Sequence, residues 1–203
     1  MKKIFYVLVA IALYMMTTNV MAARYFVKTN GDDLTSGTSW NKSFRTITRA
    51  MDAATTTGDE VWIGTGTYIE GMTINVPSGV TVYGGFATTE TLISQRDYLS
   101  NPTIMDGETS YTCIRNIGIL DGFHITGGKT NGNGGGVYSE GLVRNCEIYG
   151  NSARYGGGIY SLNGSVSNCA VYDNNASERG GGLYVNHGTA DQCMVYRNLS
   201  SRE

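Results

Sequence analysis

The chain has 203 residues, 28 glycines, 14 tyrosines, only 2 prolines and a formal net charge of −2. The charge argues against a nucleic-acid-binding protein, which normally presents a basic surface. So much glycine with so little proline and no Gly-x-y period excludes collagen and does not indicate a disordered linker; it favours short strands joined by tight turns.

The first residues predict a secretory signal peptide over residues 1–23. Two lysines precede an unbroken apolar run from Ile4 to Met16, and small residues allow cleavage after Ala22 or Ala23. The run is shorter than the roughly 20 residues that a membrane-spanning helix needs. We therefore expect an exported protein, extracellular, at the cell surface or in the periplasm, with no transmembrane span in the mature chain.

Residues 24–60 predict an N-terminal cap that contains a short amphipathic helix. Four apolar residues share one face at helical spacing: Phe44, Ile47, Met51 and Ala54. Ser43 is expected to cap the start of this helix, and Gly58 lies just past its end. Such a helix would cover the apolar core at the open first coil of a solenoid.

The second half of the chain repeats. "GGGVYS", "GGGIYS" and "GGGLYV" begin at Gly134, Gly156 and Gly180, at nearly constant spacing. Each is followed by a second signature: "VRNCEIYGN" (143–151), "VSNCAVYDN" (166–174) and "ADQCMVYRN" (190–198). Self-similarity at a fixed period predicts a stacked architecture in which each unit buries its apolar face against its neighbours.

Alternating apolar residues predict that each unit is a coil of a parallel β-helix over residues 61–203. Val143, Cys146 and Ile148 have counterparts in both later units, and period two indicates strand. The alternation breaks at Asn145, and at the equivalent Asn168 and Gln192, which indicates a corner. We predict three short strands and three corners per coil, and the same pattern less regularly from residue 61 to residue 133.

The glycine-rich stretch near Lys129 does not predict a phosphate-binding loop. That loop requires G-x-x-x-x-G-K-[ST] between a strand and a helix. Lys129 and Thr130 fit its end, but Phe123 stands where the first glycine is needed, and another strand pattern follows.

The "GGG[VIL]Y" and "NCx[IV]YxN" units resemble the right-handed parallel β-helix repeats of exported bacterial proteins. They are similar to the repeats of polymorphic outer-membrane proteins, with Tyr149, Tyr172 and Tyr196 in place of phenylalanine. "GVTVYGGF" and "LDGFHITGG" also resemble the N-terminal part of such proteins. The resemblance implies the fold of the pectin-lyase-like superfamily, which contains lyases, hydrolases and adhesins, so function must be argued from individual residues.

The resemblance implies that an enzyme of this fold would use a calcium-binding carboxylate with a base, or a cluster of aspartates. The candidates in this sequence are Asp106, Asp121, His124, Asp173, Asp191 and His187. Asp106 and Asp121 each precede a glycine, as turn residues do, and His124 should point outward into solvent. Since no acidic pair repeats in register, we assign no catalytic residue and expect no cofactor.

Cys146, Cys169 and Cys193 occupy one position in successive coils and should stack about 4.8 Å apart. Their parallel Cβ vectors do not suit a disulfide, and a linear column does not converge on a zinc ion. We predict a buried, unbridged core column and no metal site. Cys113 lies outside this register.

Two tyrosine rows should face outward: Tyr138, Tyr160 and Tyr184, and Tyr149, Tyr172 and Tyr196. Stacked tyrosines can stabilise a sheet or offer rings to a sugar, so these rows are the binding candidates of the sequence. Our leading hypothesis is a non-enzymatic, adhesin-like β-helix that binds a surface polysaccharide or cell-surface ligand. The alternative is a polysaccharide lyase or glycoside hydrolase.

Only "LSSRE" follows the last signature. The sequence therefore predicts a last coil without a C-terminal cap, in a chain that is either a truncated member of a longer family or one that self-associates through this coil.

Overall fold

The structure is a computed structural model that describes residues 21–202. Residues 1–20 of the predicted signal peptide lie outside the described residues. The chain forms a right-handed parallel β-solenoid of about 6 turns with one short helix near its N-terminus. The predicted fold class is thus confirmed.

The strands form four parallel sheets, which we call A to D. Sheet A has seven strands: β1 (Arg24–Val27), β2 (Glu60–Gly64), β5 (Thr81–Phe86), β8 (Ile119–Asp121), β11 (Leu142–Arg144), β15 (Ser165–Ser167) and β19 (Thr189–Asp191). Sheet B has six: β3 (Gly66–Tyr68), β6 (Thr103–Asp106), β9 (Phe123–Thr126), β12 (Glu147–Tyr149), β16 (Ala170–Tyr172) and β20 (Met194–Tyr196). Sheet C has five: β4 (Ile74–Val76), β7 (Ile114–Asn116), β10 (Val137–Ser139), β14 (Ile159–Leu162) and β18 (Leu183–Asn186). Sheet D has three: β13 (Ser152–Tyr155), β17 (Asn175–Arg179) and β21 (Leu199–Ser200).

Equivalent residues of the repeat pair with each other across coils. Val137 lies beside Ile159 in sheet C, Val143 beside Val166 in sheet A, and Ile148 beside Val171 in sheet B. All six side chains are buried and belong to one continuous apolar core. The sequence period therefore equals one turn of the solenoid.

Each regular coil has four strands, whereas the sequence analysis predicted three. The chain runs from sheet C through A and B to D before it returns to C. Strands β13 and β17 form because the backbone after each "YxN" stays extended and pairs with the next coil, as Ser152 does with Asn175. The glycine triplet then follows sheet D and not sheet B.

A row of buried asparagines lines the turn between sheets B and D. Asn151 Nδ2, with two N–H donors, lies within hydrogen-bonding distance of three acceptors: the carbonyl oxygens of Ile125 and Tyr149, at 3.0 and 2.9 Å, and Asn174 Oδ1 at 3.0 Å. Asn174 repeats the pattern toward Asn198 Oδ1, at 3.1 Å. These amides satisfy carbonyl groups that the turn removes from the sheet ladders, which a buried backbone requires.

The helix, α1, covers Ile47–Ala53, and Thr46 caps it by accepting a hydrogen bond from Arg49 N at 3.2 Å. Ser43 was predicted as the cap, but Phe44 is extended and its N–H donates to the Phe26 carbonyl. The predicted apolar face is buried, and α1 packs on strands β1, β2 and β4 at the N-terminal end of the solenoid. The segment predicted as a separate cap also adds β1 to sheet A.

Within residues 21–202, no helix has the length and hydrophobicity that crossing a membrane would require.

Candidate functional site

Both tyrosine rows lie on the outer faces of sheets, and their rings stack along the solenoid axis. In sheet C, the ring centroids of Tyr160 lie 5.4 Å from those of Tyr138 and of Tyr184. In sheet B, Tyr172 lies 5.3 Å from Tyr149 and 5.1 Å from Tyr196. The interplanar angles of 6° to 14° show that adjacent rings are nearly parallel and stacked.

This stacking changes how the tyrosines can bind a ligand. Tyr160 is only 9% exposed, and Tyr138, Tyr149, Tyr172 and Tyr184 are half-buried. The ring faces of these five tyrosines are largely covered by their neighbours, which stabilises the sheet, whereas Tyr196 in the last coil is 43% exposed and stacks on Tyr172 alone. Apart from Tyr196, the rows therefore offer hydroxyl groups and ring edges, and the open ring faces that sugar stacking needs are largely covered.

A groove runs beside the sheet B row, at the corner between sheets A and B. Its volume is about 270 Å³. One side carries the corner amides Asn145, Asn168 and Gln192, whose φ angles are +54°, +49° and +53°. The other side carries a column of paired outward residues: His124, Glu147, Ala170 and Met194. We call this the amide groove.

Left-handed backbone explains why amides occupy this corner. A residue with a left-handed backbone is strained unless it is glycine, or a residue such as asparagine whose short side chain bonds locally. Asn168 Nδ2 donates to Asn145 Oδ1 at 2.7 Å, so the amides also link successive coils. The result is a row of hydrogen-bonding groups parallel to the solenoid axis, exposed at Asn168 and Gln192 and half-buried at Asn145.

The N-terminal end of the amide groove is formed by the segment between β5 and β6. This segment leaves the solenoid at the same corner, and its residues Tyr98 and Leu99 line the groove. It passes over Gly122, whose φ is +80° and where an added Cβ would come within 3.0 Å of the Tyr98 Cβ. Only glycine leaves room for this crossing.

A buried ion pair anchors the same segment to the solenoid. Arg96 Nη2 lies 2.7 Å from Asp121 Oδ1, and their side chains are 10% and 3% exposed. Asp121 also accepts hydrogen bonds from Arg144 Nε at 2.7 Å and Asn145 Nδ2 at 2.8 Å. Asp121 was expected to be a turn residue; the structure places it at the end of β8, with a structural role next to the groove.

Glu147 is the one carboxylate among the described residues that line the amide groove. Its Oε2 accepts a hydrogen bond from the Tyr172 hydroxyl at 3.2 Å and lies 3.8 Å from His124 Nδ1. Burial, and then the charge of Glu147, raise the pKa of Tyr172 to about 12. The hydroxyl therefore stays protonated at neutral pH and donates to the carboxylate.

The cysteine column forms part of the floor of the amide groove, which Cys146 and Cys169 line. Cys146 and Cys169 are buried and Cys193 is half-buried, and none of the four cysteines, all of them within residues 21–202, is bridged. Cys169 donates to the Ser167 carbonyl at 3.2 Å. Its pKa is raised, chiefly by the hydrogen bond with Cys146 and further by burial. A raised pKa keeps the thiol protonated and unreactive.

The remaining candidates for catalysis are dispersed. Asp106 ends β6 in sheet B, Asp191 ends β19 in sheet A, and Asp173 lies at a turn where it pairs with Arg197. His187 occupies an exposed turn with φ of +58°. Within the part of the chain that the structure describes, no three His, Cys, Asp or Glu side chains converge as a metal site would need.

Sequence reasoning did not single out Glu147, Tyr98 or the corner amides as a site. His124 and Glu147 are neighbours because they stand exactly one coil of the repeat apart along the chain. The spacing of the repeat alone would therefore have predicted that His124 and Glu147 lie next to each other. The position of Tyr98 has no such signal, because the segment that carries it is not repeated.

The model of one family, described as "Protein of unknown function (DUF1565)", matches residues 29–131. The match covers α1, the first coils, the segment that carries Tyr98, and His124, and it ends before the regular glycine repeats. No curated protein and no solved structure matches the chain.

Proposed function

The chain belongs to this family of right-handed β-helix proteins, and from that premise we propose that it is an exported, non-enzymatic protein that binds a surface polysaccharide along the amide groove. The proposal rests on the amide groove. It runs parallel to the solenoid axis, so an extended polymer would meet one corner amide at each of three successive coils, about 4.8 Å apart.

The groups in the amide groove suit the hydroxyl-rich surface of a sugar. Asn145, Asn168 and Gln192 provide both donors and acceptors, and Glu147 provides an acceptor. Tyr98 adds an aromatic ring at one end. A concave site with a few polar groups beside apolar surface is typical of ligand sites.

Binding can be tested by filling the groove. Ala170 faces outward between Glu147 and Met194, and an Ala170→Trp substitution would occupy the space of the ligand. Ser167 is the matched control, because it faces outward in the same coil on sheet A. On a glycan array, we expect the native protein and Ser167→Trp to bind the same polysaccharides and Ala170→Trp to lose them. Equal binding by both variants would refute the amide groove as the binding site.

Export can be tested separately. Strand β1 starts at Arg24, directly after the predicted cleavage residues, which is consistent with a mature chain that starts near this point. Mass spectrometry of the protein from the periplasm or the medium should find an N-terminus at Ala23 or Arg24. A chain that retains residues 1–22 in the cytoplasm would refute export.

A further inference from the structure

The amide groove has an electrostatic character that narrows its ligand. Among the described residues that line it there is one carboxylate, Glu147, and there is no lysine or arginine. An acidic polysaccharide bound here would bring its carboxylates close to Glu147 without a lysine or arginine in the lining to offset them, and like charges at short range repel.

The arginines of the neighbouring coils do not line the amide groove, and each contacts a carboxylate outside it. Arg96 and Arg144 both pair with Asp121 at 2.7 Å. Arg197 pairs with Asp173 on the far side of the tyrosine row. Arg96 and Arg144 share the one negative charge of Asp121, but neither lines the groove. Of the lysine, arginine, aspartate and glutamate side chains, the one that a ligand would contact there is Glu147, and His124 beside it adds positive charge only when it is protonated.

Glu147 has free capacity to bind a cation. Its side chain is 40% exposed, and its Oε2 is held by the Tyr172 hydroxyl and lies near His124. Its Oε1 has no hydrogen-bond donor among residues 21–202. A carboxylate fixed at one oxygen and free at the other is well placed to accept a charged N–H donor, which forms stronger hydrogen bonds than a hydroxyl.

We propose that the amide groove selects polysaccharides that carry free amino groups, with Glu147 as the residue that recognises an ammonium group. This inference rests on the proposed function, because it assigns the ligand class of the same groove. The corner amides would bind the sugar hydroxyls, and Glu147 would distinguish an amino sugar from its neutral or acidic counterpart.

The test compares three oligosaccharides of equal length: a glucosamine oligomer, its fully N-acetylated form, and a galacturonate oligomer. The first two share the same sugar backbone and differ at the C2 nitrogen, which is a free amine in one and a neutral acetamide in the other. We expect the glucosamine oligomer to bind the native protein about fivefold more tightly than the N-acetylated form, the strength of a favourable exposed ion pair. The preference should weaken as salt is added.

Glu147→Gln should remove this preference while keeping the weaker binding of the N-acetylated form. Glu140→Gln is the control, since Glu140 is a half-exposed carboxylate that pairs with Arg115 away from the groove. Equal affinity for both oligomers, tighter binding of galacturonate, or an unchanged preference in Glu147→Gln would each overturn the inference and leave the proposed function standing. Failure of the native protein to bind any glycan would overturn both.

Discussion

Removing the charge of Asp121 should destabilise the protein far more than removing the charge of an exposed aspartate. Asp121→Asn keeps the volume of the side chain but leaves Arg96 without an anionic partner. Since both side chains are at least nine-tenths buried, the loss falls in the range for breaking a buried ion pair, about 3–5 kcal/mol. Asp121 also accepts hydrogen bonds from Arg144 and Asn145, so part of the effect comes from those partners.

Asp173→Asn is the matched control. Asp173 pairs with Arg197, but these side chains are 48% and 63% exposed, and an exposed pair contributes at most about 1 kcal/mol. Asparagine also tolerates the φ of +52° at this position. The free energy of unfolding of each variant can be measured by urea denaturation followed by tryptophan fluorescence.

A double-mutant cycle assigns the effect to the Arg96–Asp121 contact. Arg96→Met keeps much of the packing between Tyr83 and Tyr98, over which the guanidinium lies. In the Arg96→Met background, Asp121→Asn should lower the free energy of unfolding by much less than it does alone. If Asp121→Asn costs no more than Asp173→Asn, or if the two changes at residues 96 and 121 are additive, the ion pair does not anchor the segment.

Three further changes test other parts of the structure. In urea denaturation, Asn174→Ala should lower the free energy of unfolding more than Asn168→Ala does, because the Asn174 amide is buried and lies within hydrogen-bonding distance of three acceptors, while Asn168 is exposed. Equal losses would contradict a stabilising role for the row of buried asparagines. Gly157→Ala should destabilise the solenoid, since the added Cβ would overlap the carbonyl oxygens of Asn175 and Gly181, and an unchanged melting temperature would refute that close contact. The pKa of Tyr172 is raised from 10.0 to about 12 in the folded protein, so its stabilising contribution is complete below pH 10 and is lost as the pH rises to about 12. Tyr172→Phe should therefore lose less of its melting temperature between pH 10 and pH 12 than the native protein does. An identical pH profile for the two proteins would contradict the raised pKa.

The period of the apolar residues predicted the fold because it reflects burial alone. Val143, Val166, Ile148 and Val171 recur at one offset, and the same offset pairs them in the sheets. Inward residues of a solenoid must meet their equivalents in the next coil, so the sequence pattern and the register have one cause.

The fourth strand and the row of buried asparagines were not predicted because asparagine occupies two different kinds of turn in each coil. Asn168 and Asn174 lie close together in the same coil, yet the first lines an exposed corner and the second satisfies carbonyl groups in the interior. Sequence shows that both positions need an amide. It does not show which turn is tight enough to close over its side chain, since that depends on the strand that follows.

The two outward columns of sheet B differ in a way that bears on function. Tyr149, Tyr172 and Tyr196 are identical in three coils, and each tyrosine packs against the next, so stacking alone accounts for their identity. The neighbouring column places histidine, glutamate, alanine and methionine in successive coils. Stacking does not require that order, because the four side chains differ in size, charge and polarity. A polymer lying along the amide groove would therefore meet unlike groups at each coil, and it would be bound in one direction and one register.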